Sequence, residues 1–350
     1  MKIASAGVAL PAHYYDQSTL TSYLAEVWKD HPEVVRRLDT LHGNVGVEGR
    51  HLSIPLEQYA SLRTFGDFND AWIEAAVDLG ERAVRQALER ANLEPRDVDA
   101  IFFSTVTGIC SPSIDAKLVN RMQLRPDIKR IPMFGLGCVA GASAVSRAAD
   151  YVRGHPDQVA VVLTIELCSF TWQRDDKTVA NLISSGLFGD GAAAAIVVGA
   201  KRPDGRGPRI VDTRSVFYPD TEDVMGWRIS ERGFRIVLSP AVPTVARENI
   251  GRDVDAFLKE HRLTRADIGS WVCHPGGPKV LGAVRDALEI TDDDLALSWE
   301  SLRRVGNLSS ASVLLILEAT IERARPKRGT RGVMLAMGPA FCSELLLLEW

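Results

Sequence analysis

The stretch Ala87-Leu88-Glu89-Arg90-Ala91-Asn92-Leu93-Glu94-Pro95-Arg96-Asp97, closing on the apolar run Ala100-Ile101-Phe102-Phe103, returns in outline later in the chain as Leu258, Leu263, Asp267 and Ser270-Trp271-Val272-Cys273. Each copy reads as a helix end, a short linker holding an aspartate, and a strand. The spacing is constant: 258 − 88, 263 − 93 and 267 − 97 all equal 170. A second pair follows at an offset one residue shorter, with Gly137-Cys138-Val139-Ala140-Gly141-Ala142-Ser143 matching Gly306-Asn307-Leu308-Ser309-Ser310-Ala311-Ser312. Both segments open runs of helical apolar spacing that end near Arg153 and Arg323. The pattern predicts two similar α/β halves packed into one body. Chance likeness within a single-sheet α/β protein is the other reading these residues allow.

Working outward, each half closes on a strand, turn, strand pattern. In the first this is Val159 to Ile165, Gly189-Asp190-Gly191 and Ala192 to Val198; in the second, Gly332 to Met337, Gly338-Pro339 and Glu344 to Trp350. The turn-rich segment Lys201 to Arg209 separates them, so the halves are drawn as 1–205 and 206–350. Continuous apolar runs such as Val159-Ala160-Val161-Val162-Leu163 suit sheets covered on both faces by helices. The expected fold is layered α/β with two central sheets.

Composition removes several classes. The 350 residues carry 41 Lys and Arg against 45 Asp and Glu, a net charge of −4, with 46% apolar and 25% charged residues. That range is ordinary for a globular chain and excludes disordered, collagen-like and coiled-coil classes. Without a basic block there is no footprint for nucleic acid. No apolar run approaches the ~18 to 20 residues of a membrane span. The start, from Met1-Lys2 to Ala12, has one cation and an early Gly7 and Pro11, and reads as a first strand rather than a signal peptide. The five cysteines (Cys110, Cys138, Cys168, Cys273, Cys342) form no Cys-x-x-Cys pair. A disulfide framework or zinc ribbon is therefore not expected, and a reducing, cytoplasmic location is.

The duplication places Cys138 and Asn307 at equivalent positions, each opening a helix. Strand-like Ile131-Pro132-Met133-Phe134 leads through Gly135 and Gly137 into that start. A thiol there feels the positive helix terminus, worth about 0.3 to 1 kcal/mol, which is expected to lower its pKa. His274 closes the Trp271-Val272-Cys273 strand ahead of the rigid turn Pro275-Gly276-Gly277-Pro278. A thiol, an imidazole and an amide suffice for acyl transfer as nucleophile, base and oxyanion donor. On residues alone each has a plainer reading: a small buried hydrophobe, a satisfied core histidine and an N-cap.

Gly135-Leu136-Gly137-Cys138-Val139-Ala140-Gly141, His274-Pro275-Gly276-Gly277-Pro278 and Gly306-Asn307-Leu308-Ser309-Ser310 resemble the three signature segments of type III polyketide synthases, the chalcone-synthase-like enzymes. Leu187-Phe188-Gly189-Asp190-Gly191 resembles a fourth, and Met337-Gly338-Pro339 the family's C-terminal active-site loop. The resemblance implies a thiolase-like, duplicated five-layer αβαβα fold and a homodimer. It implies acyl loading from an acyl-CoA starter onto Cys138, with His274 and Asn307 binding the malonyl-CoA carbonyl during decarboxylative condensation. It implies no metal and no cofactor beyond the CoA thioesters. Phe188 matches the gatekeeper aromatic; Cys168, Thr171, Trp227, Ile236, Gly338 and Pro339 would line the substrate pocket; Arg36, Arg37 and Arg50 roughly match the residues that grip CoA phosphates.

Trp227 and Ile236 stand where plant enzymes tend to carry a small residue and a Phe. Met225-Gly226-Trp227, with Phe234 to Leu238, looks more like bacterial alkylresorcinol or alkylpyrone synthases, which implies a medium or long acyl starter. Starter length, number of extensions and mode of cyclisation stay open. Two alternatives stand beside this reading: a ketosynthase III-type enzyme performing one condensation, and a non-catalytic subunit that sets chain length. The first usually has His-Gln-Ala-Asn where this chain has His274-Pro275-Gly276-Gly277; the second normally lacks the nucleophilic cysteine.

Overall fold

In the computed structural model, which describes residues 1–203 and 205–350, the repeated linkers fold by the same local bonds. Asp97 accepts the backbone N–H of Glu94 at 2.8 Å, and Asp267 that of Thr264 at 2.7 Å. Each carboxylate caps a one-turn 3-10 helix that turns helix into strand. Just upstream, Leu93 N–H reaches Leu88 O and Leu263 N–H reaches Leu258 O, both at 3.0 Å.

The first half runs β1 (Lys2–Ala9), β2 (His13–Asp16), α1 (Gln17–Val27), α2 (Pro32–Gly43), β3 (Gly49–Leu52), α3 (Phe65–Ala91), β4 (Ala100–Thr105), α4 (Ile114–Met122), β5 (Lys129–Phe134), α5 (Ala140–Gly154), β6 (Val159–Leu167), α6 (Val179–Leu187) and β7 (Asp190–Val198). The second continues with β8 (Arg209–Phe217), β9 (Met225–Ser230), β10 (Gly233–Leu238), α7 (Val242–Glu260), β11 (Ile268–Cys273), α8 (Pro278–Leu288), α9 (Ala296–Val305), α10 (Ser310–Ala319), β12 (Arg331–Gly338) and β13 (Cys342–Glu349).

Among the described residues, three of four hydrophobic cores lie between the five layers. One packs α3 (Ala76, Ala83, Ala87) on β4, β6 and β7. Another packs α7 and α8 (Phe257, Leu281) on β11, β12 and β13. Between them, Val145 and Ala149 of α5 and Val313 and Leu317 of α10 share a core with strands of both halves, including Val162, Ala195, Met334 and Leu346. This is the thiolase-like αβαβα arrangement. The strands of β6 and β7 are buried throughout, as their unbroken apolar sequence requires.

The two expected sheets are joined. Strand order is β11-β12-β13-β8-β1-β7-β6-β4-β5, and the halves meet through one residue pair of β1 and β8, Lys2 opposite Arg209. The two central helices touch so closely that a Cβ on Gly141 would lie 2.2 Å from Ser310 O. That contact brings the starts of α5 and α10, and hence Cys138 and Asn307, to one place.

Candidate active site

β5 leads into the Cys138 turn through Gly135 (φ 96) and Gly137 (φ 56), left-handed conformations that glycine adopts without strain. Residues Gly137–Val139 form a short 3-10 turn ahead of α5. The Pro339 ring lies 2.6 Å from where a Gly137 Cβ would sit, and a Cβ on Gly338 would come within 2.8 Å of Val139 N. Both residues, expected in the substrate pocket, brace the turn that carries the thiol.

A chain of hydrogen bonds links the three signature segments. Cys138 Sγ donates to Ser309 Oγ at 3.6 Å. Ser309 N–H donates to Asn307 Oδ1 at 2.7 Å, and Asn307 Nδ2 donates to Gly276 O at 3.3 Å. These bonds fix which way the Asn307 amide faces. Ser309 holds φ +46, a left-handed conformation unusual for serine, and such strain concentrates at functional sites. His274 is seated by its own N–H on Leu335 O at 2.9 Å and by Gly276 N–H on its carbonyl at 3.1 Å. Both ring nitrogens of His274 are buried and without a partner among the described residues, free to meet a ligand.

The electrostatics reverse one expectation. Burial pushes the Cys138 thiol up to about 12; the hydrogen bond with Ser309 offsets part of this and the nearby Glu166 charge adds to it. The helix terminus does not outweigh the cost of a thiolate in so dry a place. Burial likewise holds His274 down to about 3, so the imidazole is neutral.

Sequence reasoning missed Glu166. It is fully buried at the end of β6, accepting from Val106 N–H and Thr107 Oγ1 at 3.1 Å and from Ser310 Oγ. Burial raises its carboxyl to about 7 against those bonds. The available signal was a single carboxylate inside the apolar run Val159–Leu167. Ser309 left no comparable trace, because its strain is a backbone property.

Phe188, Cys168, Thr171 and Trp227 do line one cavity, with an apolar wall that includes Leu24 and Leu56. Ile236 is not among its lining residues but sits opposite Trp227 in the β9–β10 hairpin. Phe188 forms a parallel bridge with Asn307. Arg36 and Arg37 are exposed on α2, and Gly46, beyond that helix, faces Pro278 of the histidine turn. Arg50, unlike those two, is buried, 3% exposed, and lines the same cavity as Phe188. Among the described residues no group of His, Cys, Asp and Glu is placed to hold a metal ion, and no helix is long and apolar enough to cross a membrane.

Comparison with known proteins adds four findings. Residues 1–202 match the family described as chalcone and stilbene synthases, N-terminal domain, and residues 209–349 its C-terminal domain. The chain is 49% identical over 350 residues to a 1,3,6,8-tetrahydroxynaphthalene synthase of Streptomyces peucetius subsp. caesius, covering 99% of this chain and 93% of that protein. It is 30% identical over 351 residues to a phloroglucinol synthase of Pseudomonas fluorescens, covering 98% and 97%. Among solved structures, the 1,3,6,8-tetrahydroxynaphthalene synthase of Streptomyces coelicolor superposes with a TM-score of 0.95 at 30% identity, covering 100% of this chain and 99% of that one.

Proposed function

The chain belongs to the chalcone and stilbene synthase family of type III polyketide synthases, acyltransferases that condense acyl-CoA with malonyl-CoA by decarboxylation, and from that premise we propose that Cys138, His274 and Asn307 perform the chemistry. The observation that carries the assignment is the linked Cys138–Ser309–Asn307–Gly276 contact beside an imidazole with both nitrogens unpartnered.

Cys138 sulfur attacks the starter thioester carbonyl, the C–S bond to CoA breaks, and His274 passes the thiol proton to the departing sulfur. Malonyl-CoA then loses CO2, and the electron pair of the broken C–C bond spreads onto the thioester oxygen. A neutral His274 N–H and Asn307 Nδ2 are the donors aimed at that oxygen, each worth ~2.7 to 4 kcal/mol. The enolate carbon attacks the Cys138 thioester carbonyl, the C–Sγ bond breaks and Cys138 leaves as thiolate. The extended chain, now on CoA, is transferred back to the cysteine sulfur with release of CoA. Decarboxylation supplies the driving force, so the reaction as read needs no cofactor beyond its CoA thioesters. Arg36 and Arg37 are assigned to the CoA phosphates, and Phe188 with Cys168, Thr171, Trp227 and Ile236 to the region of the growing chain.

The product we favour is a fused-ring aromatic of the tetrahydroxynaphthalene kind, supported by the 49% identity along the whole chain. A naphthalene keeps no alkyl tail, whereas an alkylpyrone or alkylresorcinol retains that of its starter. The second reading, a fatty acyl starter ending in an alkylpyrone or alkylresorcinol, draws on the apolar wall of Leu20, Leu24, Leu52 and Leu56. Incubation with malonyl-CoA alone, then with added starters of graded length, separates them by product mass. A naphthol from malonyl-CoA alone supports the first reading; products appearing only with a fatty acyl starter support the second; absence of both sinks the assignment.

The working unit we propose is a cytoplasmic homodimer of chains built from halves 1–205 and 206–350, neither of which works alone. The unpaired edge strand β5, ending in the half-exposed Phe134, supports a face for a second copy.

A further inference from the structure

Arg50 has more hydrogen-bonding capacity than its surroundings use. Both of its hydrogen bonds leave from Nη1, to Ser185 O at 2.6 Å and Phe188 O at 3.2 Å. Its Nε is buried without a partner among the described residues, although a guanidinium offers five N–H donors and a full charge. Asp190 is the main opposing charge, yet that carboxylate is already held by Ser53 and Ser169 through four hydrogen bonds of 2.5–2.8 Å. The carbonyls at the end of α6 offset part of the cation's burial. A buried arginine is otherwise expected to face a carboxylate, and this one stands in the wall of a cavity beside Cys168 and Phe188.

We propose that Arg50 is an anion subsite of this cavity, taking a negatively charged oxygen of the acyl chain carried on Cys138. The inference rests on the reading of Cys138 as acyl carrier. The oxygen has two chemical sources: the terminal carboxylate of a dicarboxylic acyl group, or the enolate oxygen of a 1,3-diketone segment in the growing chain. In the second case the C–H proton leaves to solvent and no bond to Arg50 forms. The cation favours the ionised diketone, whose carbon is the nucleophile that ring closure uses.

The test starts from the unmodified chain. Glutaryl-CoA and its uncharged isostere 5-methylhexanoyl-CoA are offered separately, and acylation of Cys138 is timed by intact mass. The glutaryl group is expected to load about tenfold faster, the value of one charged hydrogen bond. A second arm follows the enolate absorbance of 3,5-dioxohexanoyl N-acetylcysteamine at neutral pH. That band should grow with wild type, persist with R50K and disappear with R50M. Glutaryl preference alone assigns the site to a terminal carboxylate, and an enolate band alone to the diketone. Equal loading together with an unchanged band overturns the proposal. If neither thioester acylates Cys138, the nucleophile assignment fails and the absorbance arm alone decides on Arg50.

Discussion

Phe188 and Asn307 are joined by a parallel β-bridge: Asn307 N–H donates to Leu187 O at 2.9 Å and Gly189 N–H to Asn307 O at 3.0 Å. An aromatic of the cavity wall, from the first half, and the amide proposed as an oxyanion donor, from the second, are therefore tied together through adjacent backbone. Gly306 permits this approach, with φ +73 and no room for a side chain, since a Cβ there would lie 2.6 Å from Leu187 O.

Gly306→Ala should accordingly displace the bridge and the Asn307 amide with it. The expected result is a fall in malonyl-CoA decarboxylation of about tenfold or more, with backbone strain of about 1–3 kcal/mol. Decarboxylation assays beside thermal unfolding would check both; normal rates would show that the bridge does not position Asn307.

Cys138→Ala should abolish acyl loading while leaving malonyl-CoA decarboxylation measurable, because His274 and Asn307 remain. Intact mass and CO2 release are the two readouts. Extended polyketide from the alanine variant would mean that another group carries the chain.

Asn307→Asp puts negative charge where the enolate develops. Losing one oxyanion donor costs about 10²- to 10³-fold, and repulsion adds to that, so turnover should fall at least this far. A smaller loss would remove Asn307 from the oxyanion role.

His274 gives a signed pH dependence. Its ring is neutral when folded, with burial holding the pKa at about 3 against an ordinary 6.5. Between those values the unfolded chain binds the additional proton, so this contribution to stability is complete above pH 6.5 and is lost as pH falls. By pH 5 the loss is about 2 kcal/mol. Denaturant melts of wild type and His274→Gln at pH 7 and pH 5 should show the variant losing less; equal losses would indicate that the ring titrates as it does in water.

Trp227→Ala should enlarge the cavity and extend the range of starters accepted. Trp227 packs in tilted contact with Phe234, ring centroids 6.1 Å apart, and lines the cavity from the β9–β10 hairpin. Product masses from a graded starter series would show the change, and an unaltered range would place the limit elsewhere.

The sequence made much of this legible because the repeat is written in local chemistry. Leu88, Leu93 and Asp97, and their counterparts 170 positions later, each form bonds with neighbours a few residues away. The thiol, imidazole and amide proposed for the chemistry stood out because glycines frame them. What escaped depends on distant partners. Arg50 lies in the polar segment Glu48-Gly49-Arg50-His51, where nothing local indicates that α6 will bury it. The thiol's neutrality was missed for a related reason: a helix start is visible in a sequence, but the desolvation that outweighs it depends on how completely the folded chain buries the thiol. Lys2 and Arg209, the pair that joins the sheets, carry no pattern at all.

The most direct test of the central claim is intact-mass analysis of the chain quenched during turnover with a starter acyl-CoA and malonyl-CoA, followed by peptide mapping. The account predicts a ladder of adducts spaced by one ketide unit on the peptide containing Cys138, absent from Cys138→Ala. A single extension with no ladder, or adducts mapping to another residue, would contradict it.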